Sequence, residues 1–256
     1  MALGNHKYRY LDSIIIVNSC ARHEKFRSQF MIVDSMTYTE ILEHLKKDLK
    51  IVMHKYEEGT KHYQKYVRSA KNRERVYYEP MRFKSACGFN YVVLFFNEGV
   101  NVPSKQRLGK TFYAWYIQKR GFYAITFSLL EKAVWHFTIY TPHFVDRYKL
   151  RVLKDMSISK ADAFHQYIMK NMRVVSQKVK NPSEKYPKDY WTACNEGLCL
   201  CNQMEQLIVE VKTIISWDML KPDEQEFAIN GKLHMLSKGF DLALPDEIFS
   251  EYTEEE

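Results

Sequence analysis

The stretch 75–140 limits the fold more than any other part of the chain. Five short segments, 75–78, 91–96, 111–118, 122–129 and 134–140, are rich in β-branched and aromatic residues, a composition that suits the half-buried pleated surface of a sheet. Turn signals separate them: Gly88, Asn97-Glu98-Gly99 and Lys119-Arg120-Gly121. The connection from Gln118 to Gly121 has room for a hairpin, so at least that pair is antiparallel. A second set at 190–194, 198–201 and 207–215, turning at Asn195-Glu196-Gly197, reads as antiparallel as well.

Helical periods flank and divide these sets. From about Ser35, Ile41, Leu42, Leu45, Leu49, Val52 and Met53 recur at three- and four-residue steps behind Thr37 or Thr39 as the N-cap. The signal runs past Gly59 toward Asn72, as one long bent helix or a helical hairpin. Ser159 with Asp162 at the third helical position opens another helix, whose apolar face is Ala163, Phe164, Tyr167 and Ile168. A short last helix is expected over 222–236. The expected fold is therefore α+β: an N-terminal helical segment followed by a largely antiparallel sheet with two central helices. Its regions are a mainly helical 1–76, an α+β part over 77–222, and a short helix with an acidic segment over 223–256, free to pack as one domain.

Chemistry concentrates where the strand 134–140 hands over to Thr141-Pro142-His143-Phe144-Val145-Asp146-Arg147-Tyr148. Thr followed by Pro is an N-cap followed by an N1 proline. At about 100° per residue, Phe144, Val145, Tyr148 and Val152 gather on one side, and His143, Arg147 and Lys154 on the other with Leu150 beside them. The positive end of the helix dipole favours the uncharged, proton-accepting imidazole at His143. Arg147 lies one turn along, placed to share a phosphate with it. These are the parts that metal-independent RNA cleavage asks for: a base for the 2′-hydroxyl proton and a cation for the charged phosphorane. The acid would come from His136, Tyr140, His165 or Lys212, and Asp146 borders the face. Arg151 and Lys154 extend the cationic side. Far away in sequence, Lys61, Lys65 and Arg68 share one helical face, with Tyr63 and Tyr66 interleaved and Lys71, Arg73 and Arg75 following. That pattern suits phosphate contacts with tyrosine stacking on bases.

Charge agrees with a polyanionic partner. The chain carries a net +7, yet residues 241–256 hold seven acids and no Lys or Arg, which leaves +14 on the first 240 residues. The five cysteines form no Cys-x-x-Cys pair, and Cys194, Cys199 and Cys201 have no His or Cys at finger-like spacing, so neither a metal nor another cofactor is expected. No apolar run approaches a membrane span or a signal peptide, which makes the cytoplasm the expected location.

The order of strand, His143-x-x-x-Arg147-x-x-x-Arg151 helix, Ser159-capped helix, strand, Gly197 turn and the strand Ile208-Val209-Glu210-Val211-Lys212-Thr213 resembles the BrnT/RelE-like toxin superfamily over residues 132–218. The resemblance implies an RNA-cleaving protein with a protein partner. The expectation is thus an RNA-binding protein of toxin-like type, a metal-independent endoribonuclease if it is an enzyme, with His143 and Arg147 at the reaction and Arg151, Lys154, Lys61, Lys65 and Arg68 on the nucleic acid. The alternative is a non-catalytic protein-interaction module of a mobile-element or defence system.

Overall fold

The computed structural model describes residues 32–69, 78–97, 108–130, 133–171, 174–179, 189–205 and 208–237. The arrangement is α+β, as expected, beginning with one helix, α1 (Tyr38–Ser69), rather than a helical hairpin. Its start is a capping box: Glu40 N donates to Thr37 Oγ1 at 3.3 Å, and Thr37 N donates to the Glu40 carboxylate at 2.8 Å. Five strands follow, β1 (Tyr78–Lys84), β2 (Asn90–Asn97), β3 (Leu108–Gln118), β4 (Gly121–Leu130) and β5 (Ala133–Tyr140). Next come α2 (Pro142–Arg147), a π-helical turn at Tyr148–Leu153, and α3 (Lys160–Lys170). The chain continues through β6 (Val175–Lys178), β7 (Asp189–Cys194), β8 (Gly197–Glu205), β9 (Ile208–Ile215), a 3-10 turn at Trp217–Met219 and α4 (Pro222–Ser237). The acidic segment 241–256 and the cations Lys71, Arg73 and Arg75 lie outside the described residues.

The two antiparallel sets expected from the sequence are one sheet, ordered β1-β2-β3-β4-β5-β9-β8-β7-β6. All neighbours are antiparallel except β5 and β9, which run parallel from Phe137↔Ile208 to Tyr140↔Val211. Two strands depart from the sequence pattern. β1 continues through Pro80 to Lys84, which an edge strand permits because one row of its N–H groups has no ladder partner. β6, the other edge, reads Val-Ser-Gln-Lys and is mostly exposed, so it shows no apolar alternation.

Side-chain alternation gives the sheet two apolar faces. On one, Tyr140, Cys199, Val211 and Ile214 meet Phe144, Tyr148, Phe164 and Tyr167 from α2, the π-turn and α3. On the other, α1 packs Ile41, Leu42, Leu45 and Val52 over Phe89, Tyr116, Ile125 and Ile139. At the far end of that second face α4 sets Phe227 against Trp191, with ring centroids 5.8 Å apart. Polar contacts pin α1 in place: Tyr38 Oη donates to Glu210 on β9 at 2.6 Å, and Tyr91 Oη donates to the buried Asp48 at 3.0 Å. On the α3 side, His165 is buried with its Nδ1 2.6 Å from Tyr113 Oη.

Gly59 is where α1 comes closest to the sheet. A Cβ there would lie 2.7 Å from Met81 Cε and from two ring carbons of Phe95. Helix propensity alone makes Gly59→Ala stabilising by about 1 kcal/mol. The Met81 methyl can move, but the Phe95 ring is 2% exposed and stacked on Tyr63 at 5.6 Å, so overpacking outweighs propensity. Gly59→Ala is expected to lower stability by about 1 kcal/mol net, read as a lower urea midpoint at unchanged m-value.

Candidate nucleic-acid interface

The handover from β5 to α2 forms as its residues dictate. Thr141 is extended at φ −75°, ψ 162°, its Oγ1 accepts from Phe144 N at 3.2 Å, and Pro142 fills the first helical position. Thr141 N also donates to Val211 O at 3.3 Å, so the cap is fastened to β9. Phe144, Val145 and Tyr148 then turn into the core, at 0%, 1% and 0% exposure. His143 is left exposed and Arg147 partly so, with Arg147 Nε donating to His143 Nε2 at 3.4 Å. A ring that accepts at Nε2 in this way offers its N–H from Nδ1.

Beyond Arg147 the backbone leaves the regular helix. Tyr148–Leu153 is π-helical and ends on Lys154 in the left-handed region at φ 53°, ψ 30°. A π-turn and a non-glycine residue at positive φ both cost free energy, and both concentrate at functional segments. The widened turn also changes which side chains face out. Lys149 is buried, Leu150 is 51% exposed, and Arg151 swings inward so that Nη1 donates to Ile214 O on β9 at 2.8 Å. Lys154 is exposed. His143 and Arg147 meet across one turn, Lys154 stands exposed on the left-handed residue that closes the π-turn, and Arg151 anchors that turn to the sheet.

Carboxylates near this face are engaged elsewhere. Asp146 pairs with Lys160 at 2.7 Å, a partner on the first turn of α3 that the sequence did not point to. Glu196, in the β7–β8 turn, accepts from Tyr148 Oη at 2.6 Å, Lys170 Nζ at 2.7 Å and Asn171 Nδ2 at 2.9 Å. Asp155 accepts from the backbone N–H and hydroxyl of Ser157, and the hydroxyl contact leads in holding its carboxyl below the ordinary range.

Of the residues considered as the acid, Tyr140 is packed against Phe144, Phe164 and Tyr167, and burial raises its pKa. His165 faces Tyr113, and Lys212 reaches Asp189 at 3.9 Å. The His136 side chain lies outside the described residues. The thiols sit below α3: burial pushes Cys201 up to about 12, and Cys199 rises through its hydrogen bond with Cys194 and through burial.

The second basic cluster is not continuous with the first. Lys61 and Lys65 are exposed on α1, which covers the face of the sheet opposite α2. Tyr63, expected to stack on bases, is instead 1% exposed beneath α1, while the side chains of Tyr66 and Arg68 lie outside the described residues. Leu150, expected beside the outward residues, is 51% exposed, and Met156, which no helical period marks, is 57% exposed. Among the described residues no helix is long and apolar enough to cross a membrane, and no group of His, Cys, Asp or Glu is arranged to hold a metal ion. Comparison with family models, curated proteins and solved structures finds no match.

Proposed function

We propose that this protein binds RNA through the outer face of α2 and its π-turn, with His143, Arg147 and Lys154 contacting phosphate. The observation that carries this reading is the hydrogen bond from Arg147 to His143. With the imidazole lone pair turned to the guanidinium, the Nδ1–H, the remaining guanidinium N–H groups and the Lys154 ammonium form a surface of donors. A donor surface calls for an acceptor-rich ligand. Phosphate oxygens fit it, and Arg is the residue suited to forked contacts with them. The +14 carried by residues 1–240 adds long-range attraction of the same sign. Cleavage asks more of His143, because its Nε2 has to leave Arg147 to take the 2′-hydroxyl proton. Binding is thus the reading the geometry supports best, and toxin-like endoribonuclease activity is its extension.

The test is retention of single-stranded RNA over a salt series by the full chain, Arg147→Ala and His143→Ala. Arg147→Ala is expected to weaken binding at least fivefold and to reduce the slope of log K against log salt by about 0.7, one phosphate contact on a single strand. His143→Ala should weaken binding two- to threefold, through the loss of one hydrogen-bond donor to phosphate. Products formed in the presence of chelator by the parent chain and absent with His143→Ala would add catalysis to binding. Retention unchanged in both variants overturns the proposal, and salt-insensitive capture of protein in place of RNA would favour the interaction-module reading.

A further inference from the structure

Three features around the proposed RNA face belong together. Close to its cations in the chain stand the exposed apolar side chains Leu150 and Met156, which a phosphate backbone leaves in water. Arg151 Nη1 donates to Ile214 O at 2.8 Å near the end of β9, so the π-turn lies close to where the chain leaves the sheet for α4. And the segment that follows α4 has the complementary composition: residues 241–256 place Leu242, Leu244, Ile248, Phe249 and Tyr252 among Asp241, Asp246, Glu247, Glu251, Glu254, Glu255 and Glu256.

We propose that the acidic segment 241–256 of this same chain docks on the His143–Arg147–Lys154 face and competes there with RNA. This deepens the reading above and rests on it for the competition, though not for the docking itself. Carboxylates offer the acceptors that the donor surface requires, and the interspersed apolar residues cover Leu150 and Met156. A pure polyanion satisfies the first requirement and an ordinary protein surface the second; this segment meets both. Reach is sufficient. The residues beyond Ser237 span roughly 60 Å when extended, against a radius of gyration of about 18 Å for a compact chain of this length. A tethered segment acts at an effective concentration of about 1 mM. Even a weak intrinsic affinity, about 0.1 mM, would therefore hold RNA binding down by an order of magnitude.

The experiment uses the full chain and two variants. In the first, all seven acids of 241–256 become Asn or Gln. In the second, Leu242→Ser, Leu244→Ser, Ile248→Ser and Phe249→Ser are combined and every acid is kept. Without RNA, zero-length carbodiimide coupling of the parent chain is expected to join Lys154 to carboxylates of 241–256 at a yield independent of dilution. That coupling should fall severalfold in the second variant. RNA affinity at fixed salt should rise about tenfold in the first variant and severalfold in the second. No coupling at Lys154 overturns the proposal, as does coupling that vanishes on dilution, which would mean a second copy as the donor. An affinity gain confined to the charge variant also overturns it, because net charge alone would then be responsible. Coupling in a chain that retains no RNA in any form would keep the docking and retire the RNA reading.

Discussion

Gly197→Ala is expected to cost about 3 kcal/mol or more and to leave little soluble folded protein. A Cβ at this position would run into the carbonyl oxygen of Ile215 and stand 3.3 Å from Ile214 Cγ1. Neither neighbour can yield. The oxygen is main chain in β9, on the ladder that pairs Leu198 with Ile215, and Ile214 is fully buried. Shifting the turn instead would pull Glu196 from Tyr148, Lys170 and Asn171, and leave the Tyr148 hydroxyl without its acceptor. The contrast with Gly59→Ala is instructive: there the obstacle is side chain and part of it can move, whereas here it is backbone on the neighbouring strand. Urea titration gives the measurement, with a loss under about 1 kcal/mol contradicting the close approach.

The second large effect is a loss of stability between neutral pH and pH 4 that traces to His165. Burial, followed by the positive charge of Arg82 and opposed by Asp162, lowers its pKa from 6.5 to about 4. The unfolded chain takes up a proton below about 6.5, while the folded chain refuses it until about 4. The folded state then holds fewer protons throughout that window, and stability falls as pH falls. Each unit is worth about 1.4 kcal/mol, so the whole window approaches 3 kcal/mol. His165→Gln removes the titrating group, and its urea midpoint should be flatter than the parent's from pH 6.5 to 4. Parallel pH profiles for the two proteins would show that His165 is not the group responsible. Asp155, whose carboxyl is held low first by the side chain of Ser157, acts below this window.

Local chemistry was legible in the sequence wherever it is settled by neighbours along the chain. The caps at Thr141 and Ser159 need only the next three residues, and both form. The hairpin at Lys119-Arg120 needs only a short connection between two strand-like runs, and it pairs Gln118 with Gly121. The His143–Arg147 contact is an i,i+4 relation within one helical turn, and it too forms. What stayed hidden depends on distant partners. Nothing near Ile208 announces a parallel pairing with Phe137, since both strands read alike whichever neighbour they take. Tyr63 looks like a free aromatic among cations until Phe95 is placed beneath it. Arg151 belongs to the outward face at 100° per residue, and only the wider π-turn brings it to Ile214 O.

The parallel seam between β5 and β9 decides the order in which the molecule can assemble. Its four residue pairs join strands about 70 positions apart, whereas most other ladders close over short connections. Each antiparallel arm can therefore zip from its own hairpins, and the seam must wait until α2, α3 and β7–β8 have been gathered over it. The surface carrying His143 and Arg147 is fastened across that join through Thr141 and Val211. On this ordering the surface is expected to form late, so a chain caught halfway would hold two half-sheets with His143 and Arg147 not yet fastened to β9.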